Sequence, residues 1–313
     1  MPKLHLGTLL FAVLLYGCDP VTPVASIYTG EFEGFTVHGY VPVRPVGIVY
    51  LFHGSGGSAD IGLKIEMLDQ TNELVARGYG WVATDSTQRT GNKRWDVFDS
   101  SIATNPDLAR LVRLQQHLVA TTDVTKQTPI FGIGMSNGAR MVTLFAEAFS
   151  DNAYPVAAVA PFNGRAAPSV QAAGGLTVPG FWLTSINDTV VLPASVIADQ
   201  QASATLGTAT RMTTKPEERL LPFRFTRIPT IDTDEAEIIT EALRNTGAWD
   251  VHGNRILDID STLALVDQLV LQPGMGATRA QVRNQVKAML AVHQFVGLYR
   301  ELLADFFDAQ LSP

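Results

Sequence analysis

The chain has 313 residues and a single cysteine, Cys18, so no intrachain disulfide can form in any compartment. Six histidines stand singly, and with one cysteine they make no cluster of zinc-ligand spacing; no structural metal is expected. Charge is also sparse. Only 17% of residues are charged and the net charge is −7, with no basic block to displace phosphate counterions. This argues against nucleic acid as a partner. No apolar run reaches the length of a membrane span, the longest near-apolar stretch being the 14 residues from Leu4 to Gly17. Internal repeats are missing as well. What is abundant is hydrophobic residues, at 46%, enough for a sizeable core in one α/β domain with insertions.

The N-terminus carries Lys3 and then the apolar stretch Leu4 to Gly17, of the length of a signal-peptide core. Leu15-Tyr16-Gly17-Cys18 closes it and resembles a bacterial lipoprotein box. The resemblance implies a signal peptide at 1–17, lipidation of Cys18, and an exported protein held to a membrane on its periplasmic or cell-surface side. Residues 18–26 would then be a tether, and 27–313 the folded domain. Lipid would be a partner through Cys18, since each buried acyl methylene contributes about 0.8 kcal/mol. Asp19 resembles an inner-membrane retention signal. An ordinary signal peptide, or a buried N-terminal helix with an inert cysteine, are the alternatives.

Beyond the tether, strand-like and helix-like segments alternate. TVHGYVP alternates as a half-buried strand does, and VGIVYLF is a continuous β-branched and aromatic run suited to a strand covered on both faces. IGLKIEMLDQTNELVARG predicts a helix stopped by Gly78, and WVATDS the next strand. Asn105 with Pro106 opens a further helix whose Leu108, Leu111, Leu114 and Leu118 share a face. PIFGIG, a helix from Asn137, VAAVAPF and GFWLTS complete the series. Such alternation calls for a mostly parallel sheet flanked by helices, with ligands gathered at the carboxyl ends of the strands. From about 198 to 291 helical candidates dominate, which predicts a helical insertion before the chain returns to the core.

Two strand ends carry chemistry. Gly134-Met135-Ser136-Asn137-Gly138 fits G-x-S-x-G between a strand and a helix. There a serine sits at a strained corner, and glycines two positions to either side avoid a collision across the turn. Earlier, His53-Gly54-Ser55-Gly56-Gly57 closes the strand VGIVYLF, and its glycines allow amides to face an anion. No Lys-Ser/Thr follows, so this is no Walker-type phosphate loop, and no cofactor is implied. His53 reads as a structural residue at the strand end.

HGSGG followed by GMSNG resembles the α/β-hydrolase superfamily, whose serine, acid and histidine follow in that order along the chain. The resemblance implies Ser136 as nucleophile, and backbone amides of Ser55 and Asn137 as an oxyanion hole. It implies Asp188, after the strand GFWLTS, as the acid; Asp232, Asp234, Asp258 and Asp260 compete less well. It implies His293, before a C-terminal amphipathic helix, as the base. His252 lies in a polar turn and reads as a surface residue. One departure stands out: the segment before His293 reads as helix, where the superfamily has a last strand.

The loop HGSGGSA and the strand GYGWVATDS are most similar to secreted polyhydroxybutyrate depolymerases and feruloyl-esterase-like enzymes. A carboxylic ester, small or polymeric, is the implied substrate. A serine peptidase or acyltransferase on the same fold, or a non-catalytic lipoprotein binding module, are the other readings. Trp95 fits a pocket aromatic and a packed loop anchor equally, and the insertion fits either a lid or a fold-completing element.

Overall fold

The computed structural model describes residues 28–269, 276 and 278–311. Cys18, the signal peptide and the tether expected before them lie outside the described residues. The strands are β1 (Tyr28–Phe32), β2 (Phe35–Tyr40), β3 (Ile48–Phe52), β4 (Gly80–Thr84), β5 (Ile130–Met135), β6 (Val156–Phe162), β7 (Gly180–Ser185) and β8 (Thr210–Lys215). The helices are α1 (Ile65–Ala76), α2 (Pro106–Thr121), α3 (Asn137–Asp151), α4 (Pro168–Ala172), α5 (Pro193–Thr205), α6 (Thr233–Arg244), α7 (Ile259–Asp267), α8 (Arg279–Met289) and α9 (Arg300–Asp308).

Among the described residues the strands form one sheet in the order β1-β2-β4-β3-β5-β6-β7-β8. Only β2 runs against the others: it pairs antiparallel with β1 and β4, and the remaining pairings are parallel. This is the topology of the α/β-hydrolase fold, as the sequence pattern implied. β3, β4 and β7 are buried at every position, because helices cover both sheet faces. One side packs Leu108, Leu111 and Leu114 of α2 and Met141, Phe145 and Phe149 of α3 against the sheet. The other packs Met67 and Leu74 of α1 with Leu303 and Phe307 of α9. Local signals start these helices: Asn105 caps α2 by accepting from the amides of Asp107 and Leu108, with Pro106 in the first turn.

The stretch expected to be helical from about 198 holds one more strand. β8 runs parallel to β7, from Thr210 beside Gly180 to Lys215 beside Ser185. It is a sheet edge whose residues are mostly exposed or half-buried, so its Thr-rich segment lacks the apolar run that marks the central strands. The helical insertion therefore begins after Lys215. It has its own apolar cluster, including Phe225, Ile239, Leu243, Trp249, Val282 and Met289. The strand missing before His293 is thereby explained. The last strand comes before the insertion, and the chain returns from α8 directly into the histidine loop.

Candidate active site

Parallel registry brings the loops together. Phe52 lies beside Gly134, Met135 beside Phe162, Phe162 beside Leu183, and Ser185 beside Lys215. The chain therefore leaves β3, β5, β6 and β7 along one edge, with His53, Ser136, Asn163 and the Asp188 loop side by side. Ser136 stands between β5 and α3 at φ 59° and ψ −115°. A side chain there is strained, and the strain holds the hydroxyl out from the turn. The flanking glycines make room. A Cβ on Gly134 would lie 2.0 Å from the Gly138 carbonyl oxygen, and one on Gly138 would lie 2.2 Å from that of Phe52. Gly164 is equally tight, at 2.4 Å from the Ala139 Cβ.

Asp188 and His293, 105 residues apart, meet here, with His293 Nδ1 2.7 Å from Asp188 Oδ2. A carboxylate only accepts, so Nδ1 carries the proton and Nε2 keeps its lone pair. The other carboxylate oxygen accepts from the amides of Val190 and Val191, both at 2.9 Å, and the side chain is inaccessible to solvent. Among the described residues Ser136 Oγ makes no hydrogen bond, to His293 or to any other group, and His293 Nε2 is likewise unengaged.

The histidine loop is stapled on three sides by residues the sequence did not single out. Asn187 donates from its backbone to Ala291 (3.0 Å) and from its side chain to the carbonyl of Leu290 (2.8 Å). Asn163 donates to the carbonyl of Gln294 at 2.8 Å. Glu66 of α1 accepts from the amide of Gly297 at 2.7 Å. Burial alone would push the Glu66 carboxyl up, but Arg224, Arg227, the Gly297 amide and the Gln285 amide together hold it below its ordinary value. These partners come from distant parts of the chain, and no local pattern announces them.

Of the amides expected to face an anion, that of Asn137 opens α3, where a helix has no acceptor of its own for it. The amides of Gly56 and Gly57 are used inside the protein, donating to Asn92 and Gly54. Among the described residues no acceptor engages the Ser55 amide. His53 fixes that peptide. Its Nε2 accepts from the Ser86 amide at 3.1 Å, so Nδ1 bears the proton and donates to the Gly54 carbonyl at 2.8 Å. Holding the Gly54 carbonyl also orients the Ser55 N–H, because both belong to one planar peptide. Burial keeps His53 neutral by lowering its pKa to about 4.

Trp95 is a loop anchor, not a pocket wall. It is buried, its indole N–H donates to the His53 carbonyl at 2.9 Å, and its ring meets Phe52 edge-on. The Asn137 side chain accepts from the Trp95 amide at 2.8 Å and so clamps this loop to the serine corner. His252 is exposed in a turn, remote in role from the pair. The competing acids have structural work: Asp232 and Asp258 cap α6 and α7, and Asp234 and Asp260 sit in the first turns of those helices.

A cavity of about 650 Å³ lies between the HGSGG loop and α8. Its wall includes the loop His53 to Ser58, Met135 before the serine, Gln294 after the histidine, and one face of α8. A Cβ on Gly54 in that wall would lie 3.3 Å from Ser136 Cβ. The volume is that of a small-molecule site.

No family model matches this chain, and no curated protein matches it in sequence. Among solved structures it is similar to an arylesterase, at 14% identity over 73% of this chain and 87% of that one, with a TM-score of 0.48. It is also similar to an acetyl xylan esterase from Aspergillus awamori: 13% identity, 61% and 93% coverage, TM-score 0.46. A third is Est1E from Butyrivibrio proteoclasticus: 11% identity, 71% and 98% coverage, TM-score 0.43. Likeness at this level carries no argument about chemistry, which rests on the chain's own residues.

Proposed function

We propose that the protein is a serine hydrolase that cleaves carboxylic esters through an acyl-enzyme. The observation that carries this reading is the Asp188–His293 pair, at 2.7 Å, on the strand-end edge from which the strained Ser136 also projects. In the reaction, Ser136 Oγ attacks the ester carbonyl carbon while His293 Nε2 takes the hydroxyl proton. Asp188 holds the imidazole in the tautomer that leaves Nε2 free and stabilises the cation as it forms. The carbonyl oxygen, now negative, faces the amides of Ser55 and Asn137. Collapse of the tetrahedral species breaks the bond to the leaving oxygen, which receives the proton from Nε2 and departs as an alcohol. Water then attacks the acyl-serine, giving its proton to His293. Departure of Ser136 Oγ takes that proton back and frees the acid.

A fluorophosphonate probe and short-chain p-nitrophenyl esters test the reading. Wild-type protein is expected to be labelled and active, and Ser136→Ala neither. Failure of the wild type to label would overturn it.

The export reading is a separate proposal: Cys18 carries a lipid and tethers the hydrolase to a membrane. Radiolabelled fatty acid should enter the wild type and not Cys18→Ser; equal labelling of both would refute it.

A further inference from the structure

Two adjacent residues at the end of β6 tie down the serine corner and the histidine loop. The carbonyl of Phe162 accepts from the amide of Ser136 at 3.0 Å, which fixes the turn of the nucleophile. Asn163, the next residue, donates from its side chain to the carbonyl of Gln294 at 2.8 Å, which fixes the loop just past His293. Its own amide donates to Leu183 of β7 at 2.8 Å, so the donor stands on anchored backbone. Packing beneath is close: a Cβ on Gly164 would lie 2.6 Å from the Ser136 carbonyl oxygen. One short stretch of chain therefore sets the two turns against each other. Among the described residues no direct bond between Ser136 Oγ and His293 Nε2 does so.

Asn163 holds this place at a cost to stability. It is fully buried, and its φ of 45° lies in the left-handed region that favours glycine, although asparagine tolerates it better than most residues. Because a carbonyl cannot donate, the NH₂ end faces Gln294 and Oδ1 is the other end. That oxygen is buried and, among the described residues, has no hydrogen-bond partner. Glycine would relieve the backbone and remove the orphaned oxygen, but it could not supply the donor to Gln294. An outlier kept against two such penalties points to a role beyond packing. The other staples of the histidine loop start elsewhere, Asn187 from the acid's own loop and Glu66 from α1. Of the three, only Asn163 comes from the strand end that also holds the serine.

We infer that Asn163 is a positioning residue, whose hydrogen bond to Gln294 sets the approach of His293 Nε2 to Ser136 Oγ. It acts through the histidine loop and touches no substrate, being inaccessible to solvent. The inference rests on the ester-hydrolase reading and deepens it. His293 moves the proton in both acylation and deacylation, so displacing it slows the two steps together and leaves KM in place. The Asp188–His293 contact has its own supports in Asn187, Val190 and Val191, so the acid limb of the pH profile stays where it is.

Asn163→Gly and Asn163→Ala both delete the donor and differ in the backbone: glycine relieves the left-handed strain and alanine keeps it. Fluorophosphonate labelling taken to completion counts the folded sites, and p-nitrophenyl acetate turnover is then expressed per labelled site. Both variants are expected to lose about 10²-fold in kcat per site, the effect of a misplacement of about 1 Å, with KM within about twofold of wild type. The acid limb of kcat should not move, and the alanine variant should melt below the glycine variant although their kcat values agree. Wild-type turnover per labelled site in the variants, with only the number of sites reduced, would make Asn163 a packing residue. That result would overturn the inference and leave the hydrolase reading standing. A raised KM at unchanged kcat would overturn it as well, because the loss would then lie in substrate binding. A wild type that neither labels nor hydrolyses the ester would overturn both.

Discussion

His53 is held neutral inside the protein, and acid should therefore unfold the protein in part through this one ring. An imidazole free in an unfolded chain titrates near 6.5, and in the fold burial lowers that to about 4. Between these values the unfolded chain binds a proton that the folded one refuses, so stability falls as pH drops from 6.5 toward 4 and levels off below. Above pH 7 the contribution is complete. The gap is worth about 1.4 kcal/mol per pH unit, or roughly 3 kcal/mol by pH 4. Structure supplies the reason for so large a penalty: a proton on Nε2 would point at the Ser86 amide, turning an accepted hydrogen bond into a clash of two donors. The test compares urea unfolding of the wild type and His53→Asn at pH 7 and pH 4. Asn retains a donor for the Gly54 carbonyl and does not titrate, so its stability at pH 7 should be lower. Its further loss on acidification should be smaller than the wild type's by about 3 kcal/mol. Parallel losses in the two proteins would refute the reasoning, because the ring would then be either solvated or free to charge in place.

Other outcomes follow from the same geometry. Gly138→Ala puts a Cβ against backbone atoms of Phe52 and His53 at 2.2–2.7 Å, with no flexible side chain to yield. It should cost about 3 kcal/mol or more, seen in thermal unfolding as a Tm lower by roughly 6–12 °C. Asp188→Asn keeps the loop but offers His293 Nδ1 an amide that favours the wrong tautomer. kcat should fall by about 10³- to 10⁴-fold with little change in fluorescence-monitored stability. Activity within threefold of wild type would exclude Asp188 as the acid. Glu66→Gln leaves the buried Arg224 without its carboxylate and Arg227 with Asp69 alone, and about 3 kcal/mol of stability should be lost in urea titration.

Some of this was legible in the chain and some was not, for identifiable reasons. β3, β5, β6 and β7 read clearly because burial on both faces demands unbroken apolar runs such as Ile48 to Phe52. β1 and β8 read poorly because the sheet's edges are wetted, and Tyr28–Phe32 and Thr210–Lys215 could afford polar residues. The serine corner was visible because its glycines are required within five residues of one another. The Asp188–His293 contact could be expected only from chain order, with no local pattern to support it. Asn163, Asn187 and Glu66 act on segments far away in sequence, at separations such as 231 for Glu66 and Gly297.

The place where the insertion joins the core has a kinetic consequence. The serine corner, the Ser55 peptide and Asp188 are all built from the sheet and its immediate loops. His293 is delivered by α8, the last helix of the insertion, and Leu290 three residues earlier is buried in the insertion's own cluster. A partial opening that released the insertion, and with it the hydrogen bonds from Asn163 and Asn187 and to Glu66, would leave the sheet intact and withdraw the base and the cavity wall in one step. Loss of activity on warming should then run ahead of loss of the sheet's circular-dichroism signal.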